Sequence, residues 1–119
     1  MIRLKENEKR EYSMKEREGI AKDVMSIVAQ YYGMSRKEMI TKRRFRKYSQ
    51  ARYISMYMTN MYLSHIPITI QELGRLHKLS HSEVVRARKE MMDKRRYDPN
   101  LRWDMDRIER LIDKYIKKP

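Results

Sequence analysis

Between Thr41 and Arg52 the stretch TKRRFRKYSQAR places six cations, Lys42, Arg43, Arg44, Arg46, Lys47 and Arg52, among twelve residues without a carboxylate. Like charges this close repel one another and weaken a fold unless a polyanion neutralises them. The chemistry on offer is phosphate binding, because each neutralised phosphate releases condensed counterions. A second group, Ser80, His81, Ser82, Arg86 and Lys89, is small and polar at first and cationic farther on. On one side of a helix such a set suits hydrogen bonds to base edges, then to phosphates. Catalysis has no comparable basis. No paired carboxylates, Ser-His-Asp set or glycine-rich loop is present, and the three glycines, Gly19, Gly33 and Gly74, build no G-x-x-x-x-G-K-[ST] motif. His77 and His81 stand four apart with no third ligand placed beside them, so no metal is expected, and no cofactor or enzymatic activity either.

Composition points the same way. Across 119 residues, 29 Lys and Arg against 16 Asp and Glu leave a formal net charge of +13. That excess favours nucleic acid or an anionic membrane surface as partner. No apolar run approaches the ~20 residues that spanning requires, and the opening MIRLKENEK has no apolar signal core. The expectation is an intracellular, cytoplasmic protein associated with the nucleoid. Without cysteine, stability rests on packing. Eleven Met and nine Tyr beside a single Phe predict a core filled by flexible and amphipathic side chains.

The elements that must position the two cationic groups read as helices. Residues 1–18 are charged and apolar-poor, a frayed helix or linker ahead of one domain over 19–119. Ile20, Val24, Ile27, Val28 and Tyr31 share a helical face, and Gly33 ends it. Ser35 with Glu38 forms a capping box for a short helix that runs into the basic stretch. Ser49 is positioned to cap the next helix, whose stripe is Ala51, Ile54, Met58, Met61 and Tyr62, with Pro67 ending the connection after it. Thr69 with Glu72 and Ser80 with Glu83 cap two further helices, the first carrying Ile70, Leu73 and Leu76, the second Val84, Ala87 and Met91. Asp98-Pro99-Asn100 precedes a last helix with Leu101, Met105, Ile108, Leu111, Ile112 and Tyr115 inward. Trp103 is expected to pack between helices, and Tyr31, Tyr32, Tyr53, Tyr57 and Tyr62 to serve as core and interface rings. The fold class is all-α, a bundle of five to six helices. The close spacing of the capped pair from Gln71 to Met91 makes it a helix-turn-helix.

Several fragments, in order, carry a resemblance: VMSIVAQYYGMS, KEMITKRRFR, SQARYISMYM, ITIQELGRL and SHSEV. Together they resemble the DNA-binding C-terminal domain, domain IV, of the bacterial replication initiator DnaA, over about residues 20–116. The resemblance implies that Arg44 or Arg46 enters the minor groove, with Lys42 and Arg43 beside it, and that Arg52 holds a phosphate. It implies that His81 touches a base or its methyl group in the major groove. Ser80 stands where the family has a base-reading aspartate, and Ser82 and Glu83 replace two threonines. The family's G-G-R-D is one residue shorter here and reads KLS, and the connection LSHIPI is about three residues longer than in the family. With only residues 1–18 ahead of the matched region, the chain reads as a free-standing version without the initiator's ATP-driven assembly or its melting of origins.

The function this predicts is sequence-specific binding of double-stranded DNA, in regulation of replication or transcription, with other replication proteins as further candidate partners. The alternatives are an adaptor docking an acidic protein through Met-rich helices, and a binder of structured RNA.

Overall fold

The computed structural model describes residues 13–63 and 68–116. They form six α-helices and no strand: α1 Met14–Tyr31, α2 Arg36–Thr41, α3 Arg46–Tyr62, α4 Ile70–His77, α5 His81–Tyr97 and α6 Pro99–Tyr115. Four of the six start the same way. At Ser13, Ser35, Thr69 and Ser80 a hydroxyl accepts the backbone N–H three residues on, while Glu16, Glu38, Glu72 and Glu83 reach back to the cap's own N–H. The last three boxes are the ones the spacing predicts. The first lies in the stretch read as a frayed helix or linker: α1 starts at Met14 and continues without a break past residue 18. Its first turns are held by tertiary charge pairs, Arg17 on Glu72 at 2.9 Å and Glu18 under Arg75 at 2.6 Å. Residues 1–12 and 64–67, including the expected stop at Pro67, lie outside the described residues.

The main core joins α1, α3, α6 and the far half of α5. Ala21, Val24, Met25, Val28 and Ala29 pack on Ala51, Ile54, Met58 and Tyr62, with Met91, Leu101, Met105, Ile108 and Ile112 closing the cluster. On α1 the buried centre lies to one side of Ile20 and Ile27, which are only half-buried. Met25, Met39, Met56, Met58, Met91 and Met105 are fully buried, so methionine here fills the interior. Gly33, at φ +71°, supplies the left-handed residue that ends α1.

Three expectations are corrected. Ser49 caps nothing: α3 begins earlier, after Phe45, and Ser49 Oγ donates to the Arg46 carbonyl inside its first turn. Trp103 is 59% exposed with the Arg107 guanidinium over its ring, because it sits two residues from Leu101, about 200° around the helix from the buried stripe. Tyr115 is exposed at the end of α6, with the Lys114 ammonium over its ring.

A second, smaller core belongs to the helix-turn-helix. Met56 of α3 packs with Leu73 of α4, Leu79 of the turn and Val84 and Ala87 of α5. Thus α3 is the platform on which the motif sits. Gly74 sets how closely α4 approaches the turn. A Cβ there would lie 2.6 Å from the Leu79 carbonyl oxygen, which is backbone and cannot rotate away. Gly to Ala within a helix normally gains ~1 kcal/mol in propensity. Overpacking of this kind costs ~1 to 3 kcal/mol, so Gly74→Ala is expected to destabilise the domain on balance. Urea unfolding of the two proteins checks the sign, and a gain in midpoint would contradict the close approach.

Candidate nucleic-acid interface

The basic stretch begins where α2 ends, at Lys42, and continues into the first turn of α3. Lys42, Arg43, Arg44, Phe45, Arg46 and Lys47 are all exposed. The start of α3 differs from its neighbours. Phe45, at the cap position, makes no side-chain cap, and the first turn holds Arg46 and Lys47 with no acid. Cations at a helix N-terminus oppose the macrodipole at ~0.3 to 1 kcal/mol each. A bound phosphate would both satisfy the free N–H groups and neutralise the cations.

Two arginines of the expected set have partners inside the fold. Arg43 Nη2 donates to the Lys78 carbonyl at 2.5 Å, which ties the loop to the turn between α4 and α5. Lys78 itself is left-handed, at φ 56° and ψ 45°, and terminates α4 in place of a glycine. Arg52 is 3% exposed. Its Nη1 donates to the carbonyls of Met39, at 2.8 Å, and Lys42, at 3.0 Å. Arg52, expected to hold a phosphate, thus lies largely beneath the loop, where Nη1 is engaged with these two carbonyls. Burial holds its pKa below the usual arginine range, with Arg43 adding to that effect and Tyr53 and Glu83 opposing it.

At the leading end of α5, His81, Ser82, Arg86 and Lys89 are exposed. Ser80 Oγ is engaged as acceptor for the Glu83 N–H and lies 3.4 Å from Ser82 Oγ. Either of the two hydroxyls can be the donor between them. The Glu83 carboxylate accepts from the Ser80 N–H, and that backbone bond holds its pKa below the ordinary carboxylate range against the opposing effect of burial. The carboxylate that replaces a threonine thus serves the cap of its own helix.

His77 lies behind this surface, fully buried at the end of α4. The Leu73 carbonyl can only accept, so Nδ1 carries the proton and donates to it at 3.0 Å, which leaves Nε2 to accept from Ser55 Oγ at 2.8 Å. Among the described residues no three His, Cys, Asp or Glu side chains come together as a metal site.

Reading from the sequence missed two exposed apolar groups at this face. Phe45 is 61% exposed between Arg44 and Arg46, and Val85 is exposed beside Arg86. A lone Phe flanked by arginines was the available signal, since a core ring is not expected at the centre of such a charge run.

Residues 21–91 match the family model described as the bacterial DnaA protein helix-turn-helix. The chain belongs to this family. It is 31% identical over 96 residues to the chromosomal replication initiator protein DnaA of Acholeplasma laidlawii, covering 80% of this chain and 21% of that protein. It is 32% identical over 91 residues to the same initiator of Agrobacterium fabrum, covering 76% of this chain and 18% of that protein. The chain spans about a fifth of the length of these curated relatives. The match runs from within α1 to residue 91 of α5, and so includes the basic loop, all of α4 and the first part of α5. The DnaA-type motif identifies a DNA-binding domain. Among the described residues no helix is long and apolar enough to cross a membrane.

Proposed function

We propose that this domain grips double-stranded DNA in two adjacent grooves at once and so regulates replication or transcription at chosen sequences. Lys42, Arg44, Arg46 and Lys47 neutralise phosphates, and Arg44 or Arg46 enters the minor groove with Phe45 as an apolar edge beside it. Ser80, His81, Ser82 and Arg86 meet base edges in the major groove, Val85 offers an apolar contact to a thymine methyl, and Lys89 takes a phosphate farther along. The observation that supports this reading is the bond from Arg43 to the Lys78 carbonyl, which brings the loop against the turn that leads into α5.

Selection of bound duplexes from a random pool, at physiological salt, tests the proposal. Enrichment of a defined sequence supports it. Retention of no sequence favours the adaptor reading, and preferential competition by duplex RNA favours the RNA reading; either result sinks the proposal. Within an enriched site, His81→Ala is expected to relax preference at one position by ~1 to 3 kcal/mol. Equal losses on every duplex in a competition titration would remove His81 from base readout.

A further inference from the structure

The two grooves of DNA lie at a fixed spacing, so a protein that reads both must hold its two readers at a fixed distance. Here the loop is short and highly charged, and its own residues repel one another. Something inside the fold must hold it.

We infer that Arg52 is the positioning residue that sets the basic loop against the leading end of α5, acting through the backbone of the loop and not by touching DNA. This rests on the reading above. The Arg52 guanidinium joins three elements. It rises from α3, and its Nη1 bonds the Met39 carbonyl in α2 and the Lys42 carbonyl at the start of the loop. Its charge is felt at His77, at the end of α4, and it lies within the fields of Arg43 in the loop and Glu83 in the cap of α5. On the other side of His77, Ser55 of α3 closes a buried polar chain to the Leu73 carbonyl of α4. Arg52 thus joins the platform to α2 and the loop, Ser55 and His77 join the platform to α4, and Arg43 joins the loop to the turn before α5.

The arrangement is costly as a stability device. A cation buried without a carboxylate forfeits hydration, and Arg52 Nε is buried with no partner. What Arg52 supplies in return is geometry, one nitrogen bridging two carbonyls that belong to the helix before the loop and to the loop itself. Arg43 then secures the loop on its other flank. Of the six expected ligands, two therefore hold the loop and four are free to grip.

The experiment compares Arg52→Met, which keeps the length and removes the donors, with Arg52→Lys, which keeps the charge but has no planar fork. Binding to an enriched duplex and to a generic duplex is measured across salt concentrations, and amide exchange is followed in the loop and in α6. In both variants we expect discrimination between the duplexes to fall by about tenfold, the scale of one base-edge contact. The salt slope should stay within about half a unit of the parent, because no phosphate contact is lost. Exchange should rise in the loop and not in α6. When Arg52→Met is combined with alanines at Lys42, Arg44, Arg46 and Lys47, its own effect on discrimination should vanish, since it acts through that loop.

A slope lower by about one in Arg52→Met marks a direct phosphate ligand and overturns the inference. So does full retention of discrimination in Arg52→Lys, or an effect that adds unchanged to the alanine loop. If Arg52→Met fails to fold, Arg52→Lys decides through discrimination and loop exchange: loss of discrimination with faster exchange in the loop supports the inference, and retention of discrimination overturns it. Failure of the parent protein to enrich any duplex would sink the proposed function itself, and is distinguishable because it needs no variant.

Discussion

Replacing Lys42, Arg44, Arg46 and Lys47 together by alanine is expected to cut duplex affinity by on the order of 100-fold or more. The slope of log affinity against log salt should fall by about 3.6 if all four contact phosphate, at ~0.9 for each. The same substitution should leave the fold as stable as before or raise its midpoint. None of the four forms a salt bridge among the described residues; Lys47 lies over the Tyr48 ring, and Lys42 and Lys47 act on Glu38 only as minor, through-space contributions. Arg46 and Lys47 moreover stand at the uncapped start of α3, where cations oppose the helix dipole. Opposite signs for binding and stability are the mark of residues that serve a ligand. A variant that melts earlier and keeps the parent salt slope would show instead that these cations serve the fold.

What the sequence made legible here was local. Three capping boxes were readable because a hydroxyl and a carboxylate three residues apart satisfy the same helix start whatever the tertiary context. The helix-turn-helix followed from two such boxes in close succession. The box at Ser13 and Glu16 has the same spacing, but the charges around it obscured the helix that Arg17 and Glu18 extend against α4. For Trp103, angle outweighs residue type. Leu101, Met105, Ile108 and Ile112 define the buried stripe, and position 103 falls on the other side of it.

The candidate site was legible as a set of charges and illegible as a division of labour. A basic run does not state which cation faces water. On α3 the inward face includes Arg52, Ser55 and Thr59 as well as Ala51, Ile54 and Met58, so hydrophobic periodicity alone could not identify Arg52 as interior. Its two carbonyl partners lie ten and thirteen residues away, beyond the reach of any local pattern. The same holds for the bond from Arg43 to Lys78, which spans 35 residues. Such contacts arise only when the helices dock, and they determine which of six similar side chains remain available to a partner.

His77 gives the second large effect, in stability against pH. Burial, with a contribution from the Arg52 charge and against the pull of the Leu73 carbonyl, pushes its pKa down from 6.5 to about 4. The folded state thus binds a proton less readily than the unfolded chain. The stabilisation is fully present above about pH 6.5 and is lost as pH falls from there toward 4, at up to ~1.36 kcal/mol per unit, roughly 3 kcal/mol in all. The carboxylates act in a different window. At Glu38 and Glu83 the cap's backbone bond holds the pKa below the ordinary 4.5; at Glu72 burial pushes the other way, but the Thr69 amide and Arg17 outweigh it. Their contribution is present above 4.5 and lost only as pH falls below it, so among these groups of the described residues the interval between 6.5 and 4.5 belongs to His77. His77→Gln can donate to Leu73 and accept from Ser55 without titrating. Urea unfolding of parent and variant from about pH 7 to about 4.5 should give a falling profile for the first and a nearly flat one for the second. A parent profile that is flat, or a slope that persists in His77→Gln, would place the acid sensitivity elsewhere than in this buried ring.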